Sequence, residues 1–79
     1  PTPGAFFNFN GERYKILKAE IGNGRGQIGE VISDNLEIVC GKNQSIKILE
    51  IQRQGKKVQK IGEFMLGSHI KKGSVINNV

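Results

Sequence analysis

A chain of 79 residues has room for one domain and one core, and its 37% apolar and 24% charged residues are those of a folded domain rather than a disordered one. Twelve Lys and Arg against seven Asp and Glu give a net charge of +5, which points to polyanionic partners. No apolar run approaches the ~20 residues of a membrane helix, so no membrane partner is expected; the single cysteine, Cys40, excludes an internal disulfide and a multi-cysteine zinc site.

Pro1-Thr2-Pro3-Gly4 reads as a linker, because two prolines favour extended backbone and the glycine breaks any element. An opening of Pro-Thr-Pro rather than Met predicts a piece of a longer protein. Ala5 to Phe9 is a strand rich in aromatics. Asn10-Gly11 predicts a tight hairpin turn, which needs positive φ at both central residues. Glu12 to Ile21 is the return strand. Its apolar residues change parity between Ile16 and Leu17, as they do where a bulge interrupts a strand. Gly22 to Gly26 is a loop. No phosphate-binding helix follows it, which excludes P-loop and dinucleotide readings.

Gln27 to Ser33 is read as a strand region, and Asp34-Asn35 as a turn. Leu36, Ile38 and Cys40 alternate onto one strand face, which predicts a buried strand thiol at Cys40. After the Gly41 to Gln44 turn, Ser45 to Gln52 is the most apolar strand, with a second parity shift. Gln54 to Lys57 turns the chain. Lys60 to Leu66 carries Ile61, Phe64 and Met65 at helical spacing, with Gly67 as its stop. Lys71-Lys72-Gly73 turns into a closing strand, Ser74 to Ile76, and the last three residues are expected to fray. The sum is all-β with one short helix, a small five- to six-stranded OB-like barrel.

No constellation for catalysis is visible. His69 is the only histidine and has no nucleophile or orienting acid placed with it. No His, Cys or carboxylate cluster has metal spacing, and the acids are scattered among the elements. The cations gather instead. Lys42, Arg53, Lys56 and Lys57 sit at turns, Lys60 at an element end, Lys71 and Lys72 at a further turn, and Arg25 in the glycine loop. Turns at one rim of a barrel are neighbours, so these residues are expected to sum into an RNA-binding patch; the alternative is an even spread for solubility. Phe6, Phe7 and Phe9 offer stacking platforms for bases, or core packing. Few aromatics lie among the lysines, which favours contact with the nucleic-acid backbone over reading of bases.

In order and spacing, several segments resemble the C-terminal domain of methionyl-tRNA formyltransferases. They are Pro3 to Phe6, Gly11 to Ala19 (GERYKILKA), Gly29-Glu30-Val31, Leu36 to Gly41 (LEIVCG), Ile46 to Leu49, Gln52 to Lys57 (QRQGKK), Glu63 to Gly67 (EFMLG) and Lys72 to Ile76 (KGSVI). The resemblance implies an OB-like barrel over residues 5–79, with residues 1–4 joining it to an N-terminal formyltransferase domain. That domain would supply catalysis and take 10-formyltetrahydrofolate as co-substrate. The barrel would bind no cofactor and would offer Arg53, Lys56 and Lys57, with Lys71 and Lys72, to initiator methionyl-tRNA in the cytoplasm. The alternatives are a free-standing RNA-binding barrel, or a purely structural domain of another formyltransferase.

Overall fold

The computed structural model describes residues 5–68 and 70–76. The expectations for the linker, for His69 and for the frayed end lie outside the described residues. Strands β1 (Phe6–Phe9), β2 (Glu12–Gly22), β3 (Glu37–Gly41), β4 (Gln44–Arg53) and β5 (Val58–Lys60) precede one helix, α1 (Ile61–Leu66). All ladders are antiparallel, in the order β1-β2-β4-β3, with β5 also paired to β4. β3 covers the first half of β4 and β5 the second half. The sheet curls into a half-barrel, an all-β OB-like fold with one short helix.

Local chemistry explains the elements. Asn10 and Gly11 both take positive φ, 51° and 80°, so β1 and β2 join through the tight turn the dipeptide predicts. The β2–β4 register slips between Ile16 and Lys18 and again between Lys18 and Ala19, so Leu17 and Leu49 are both left without ladder partners. These irregularities are the parity shifts visible in the sequence. They coil the long strands and let Tyr14, Ile16, Ala19, Ile48 and Ile51 all face one core. α1 closes one mouth of that core. Phe64 is buried and meets Tyr14 edge-on at 5.7 Å, while Tyr14 stacks on Phe7 at 5.2 Å. The helix begins at Ile61, with Lys60 as its N-cap. Gly67 ends it without left-handed backbone, at φ −113°, its N–H donating to the Phe64 carbonyl.

Four expectations are corrected. Residues 27–33 form no strand. A turn at Gln27–Glu30 and left-handed Gly29 (φ 90°) kink the chain, leaving single bridges from Val31 to Ile38 and from Glu30 to Val75. Ser74 to Ile76 contributes only that second bridge, yet with residues 29–31 it continues the sheet and brings Val75 beside the β1–β2 turn. Lys60, expected to open the helical stretch, instead ends a short strand, Val58–Lys60. Cys40 is half-buried rather than buried, whereas Val39 is fully buried because the Gly29–Glu30 backbone bonds across it.

Leu36 is a buried leucine at φ 59°, a conformation that costs a β-region residue about 1 kcal/mol or more. Burying its side chain returns about 1.5–3 kcal/mol. Ser33 Oγ supports the turn by accepting from the N–H groups of Asn35 (3.2 Å) and Glu37 (3.3 Å).

Candidate nucleic-acid interface

A cleft of about 460 Å³ opens at the mouth that α1 covers. Its walls come from β2, β4, β5 and α1 and from the turn before β5. Glu12 and Tyr14 start β2, Arg53 ends β4, and Lys56 and Lys57 form the following turn, with Glu63 and Phe64 of α1 opposite. The turn is fixed by Gly55 at φ 80° and by the Lys56 N–H donating to the Arg53 carbonyl at 2.9 Å. Gln52 Nε2 donates to the Lys56 carbonyl at 3.0 Å and braces it from the strand.

Tyr14 and Arg53 are ladder partners, so both point to the inner face at the open end. Glu12 accepts from Arg53 Nε at 2.7 Å and also meets its Nη2, the only ion pair among the described residues. The hydrogen bond to Glu12 raises the pKa of Arg53. The Tyr14 hydroxyl reaches toward the other oxygen of Glu12 at 3.4 Å. Burial pushes the Tyr14 pKa up, and the Glu12 charge pushes it further. Arg53 is therefore occupied, whereas Lys56 and Lys57 are exposed cations without an acidic partner among the described residues.

The predicted cations do not all converge. Arg53, Lys56 and Lys57 share the cleft. Lys42 lies in the β3–β4 turn, two residues before the start of β4, and Arg53 ends that ten-residue strand. At ~3.3 Å per residue the strand's length approaches 30 Å, close to the 32 Å longest extent of the fold. Arg25 is at Lys42's end, because neighbouring Gly24 donates its N–H to Ser45 Oγ near the start of β4. Lys60 stands beside Glu50 in the β4–β5 ladder, outside the cleft lining. Lys71 and Lys72 occupy a separate turn, closed by the Ser74 N–H on the Lys71 carbonyl and attached to Val31.

Exposed Arg13, Lys15 and Lys18 on β2 were not among the predicted residues. The signal was present. Arg13 and Lys15 hold the parity opposite to buried Tyr14 and Ile16, which marks them as a basic outer face. Among the described residues, no group of three or more His, Cys, Asp or Glu is placed to hold a metal ion, and no helix is long and apolar enough to cross a membrane.

The fold and cleft define a small OB-like barrel whose helix-covered mouth carries cations. The family described as formyl transferase, C-terminal domain, matches residues 1–69, and the chain belongs to that family. The chain is 70% identical, over its whole length, to a protein of Pelagibacter ubique named methionyl-tRNA formyltransferase, of which it covers 26%. Proteins of the same name from Paramagnetospirillum magneticum and Rickettsia felis are 41% and 40% identical over 96% of the chain, which covers 25% of each. The chain thus spans about a quarter of the length of these relatives.

Proposed function

We propose that this chain is the tRNA-holding domain of a methionyl-tRNA formyltransferase. The observation that carries the reading is the Arg53–Lys57 turn, which presents Lys56 and Lys57 at the rim of a cleft beside α1. Their ammonium groups attract phosphates and displace condensed counterions, a contact that positions RNA without reading sequence. The family membership and the relatives' name support methionyl-tRNA as the bound RNA. In this reading the barrel orients initiator methionyl-tRNA toward a formyltransferase domain outside these residues, in the cytoplasm. That domain takes the formyl group from 10-formyltetrahydrofolate, and the barrel itself binds no cofactor.

The test is Lys56→Ala with Lys57→Ala, titrated against several purified tRNAs. Affinity should fall about tenfold or more, and by a similar factor for every tRNA. A loss confined to initiator tRNA would contradict non-specific positioning.

A second reading has one observation in its favour. Leu66, at the end of α1, is 89% exposed and Val58, in the cleft lining, is 49% exposed, so an adjoining protein domain has apolar surface to cover. In that case the barrel is purely structural, and the double variant binds tRNA as the parent does.

A further inference from the structure

The outer face of the sheet carries a group of side chains that the cleft does not use. The β1–β2 ladder sets Phe6 opposite Lys15 and Asn8 opposite Arg13. Directly opposed residues share a face, and the other face of the same pairing holds Phe7 and Tyr14, both buried in the core. Phe6 is 42% exposed although Phe7 and Phe64 are buried, so this ring is spent on the surface. Arg13 covers it, with the guanidinium carbon 4.1 Å from the ring centroid.

We infer that the Phe6–Arg13 pair is a stacking platform for an unpaired RNA base, with Lys15 beside it to hold the adjoining phosphate. The inference rests on the RNA reading above and adds a second contact to it. A guanidinium is planar, delocalised and weakly hydrated, so one face lies on the phenyl ring and the other accepts a flat base. Exposed Lys15 and Lys18 on the same strand supply charge complementarity to RNA. Glu50, the ladder partner of both Lys18 and Lys60, offsets part of the charge farther along β4 and leaves the Phe6 end the more positive. The Arg13 carbonyl accepts from the Gln54 N–H at 2.9 Å, so the platform and the Lys56–Lys57 turn lie at one end of the sheet. Stacking tolerates any base, which suits a surface that holds RNA without choosing sequence.

The chain contains no tryptophan, so Phe6→Trp places a single indole at the platform. A short single-stranded oligoribonucleotide should quench its emission about twofold or more, and a duplex of the same length should not. Arg13→Lys keeps the charge and removes the plane. It should weaken single-stranded binding about fivefold and leave duplex binding within about twofold. An unchanged indole signal, equal quenching by duplex, or an Arg13→Lys variant that binds as the parent does would overturn the platform. If tRNA binding still depends on Lys56 and Lys57 in that case, the functional reading stands without it. If tRNA does not bind at all, both fail.

Discussion

Glu12 accepts a hydrogen bond from the Nε of Arg53 at 2.7 Å, across 41 positions of sequence. The pair joins the first hairpin to the end of β4 at the mouth of the barrel. Its side chains are 44% and 40% exposed, so solvent screens the pair and its contribution to stability is small. Its larger effect is electrostatic, because it withdraws Arg53 from any phosphate that enters the cleft.

Replacing Glu12 by Gln should therefore cost little stability and tighten RNA binding. One carboxylate is removed beside the phosphates and one guanidinium is released. The slope of log affinity against log salt should steepen by about 1, the value of one added phosphate contact. Fluorescence anisotropy with labelled tRNA measures this, alongside a thermal melt. Weaker binding by the variant would mean that Glu12 orders a surface RNA needs.

Tyr14 is the only tyrosine, so its ionisation can be followed by ultraviolet absorbance without interference. Burial first, then Glu12, raises its pKa above the ordinary value of about 10. The folded state thus favours the protonated phenol. Its contribution to stability is fully present below pH ~10 and is lost as pH rises through the folded-state pKa. Glu12→Gln should move the midpoint down, though not to the ordinary value, because burial remains. A midpoint at or below 10 in the parent chain would contradict the packing of Tyr14 against Phe64.

Ser45 is a buried polar side chain at the opposite end of β4. Its hydroxyl donates to Glu37 Oε2 at 2.6 Å and accepts from the Gly24 N–H at 2.9 Å, so it ties the glycine loop to two strands. Ser45→Ala leaves both groups without that partner. The expected loss is about 1–3 kcal/mol, or a fall in Tm of at least about 4 °C for a domain of this size. RNA affinity at low temperature should not change, because the site lies far from the cleft. Calorimetry and the anisotropy titration together check both halves.

Two glycines separate backbone strain from crowding. Gly29 and Gly55 both have positive φ, 90° and 80°. A methyl group at Gly29 would collide with the Ile76 carbonyl, whereas at Gly55 it would meet open space. Gly55→Ala should cost about 1 kcal/mol, and Gly29→Ala more than about 2 kcal/mol because the Ile76–Gly29 bridge must move as well. Chemical denaturation of the two variants gives the comparison. Equal losses would mean that the last bridge contributes nothing.

The sequence spoke clearly where one residue type has one physical use. Asn10-Gly11 specified its hairpin, and the parity change at Ile16 and Leu17 located a bulge that twists β2. The spacing of Ile61, Phe64 and Met65 marked the helix, of which Phe64 is buried and the other two pack partly against the core. It was least clear where tertiary contacts decide. Residues 27–33 carry strand-like apolar residues, but Ile28 is 65% exposed and Gly29 takes a conformation that no regular strand allows. Val58–Lys60 is three residues long and pairs with β4 only because the Arg53–Lys56 turn returns it. The common cationic rim fails on length. Lys42 and Arg53 bracket the same strand from opposite ends, a separation that residue type does not show. The phenylalanines divide by strand parity, with Phe7 in the core and Phe6 outside under Arg13.

In the proposed function the Lys56–Lys57 rim holds RNA by neutralising phosphates. The most direct test is the salt dependence of tRNA affinity for the chain and for its Lys56→Ala, Lys57→Ala variant. With roughly four phosphates engaged, log affinity should fall with log salt at a slope of about −3. The variant should lose about half of that slope. A parent affinity that is flat with salt, or a variant slope equal to the parent's, would contradict the account.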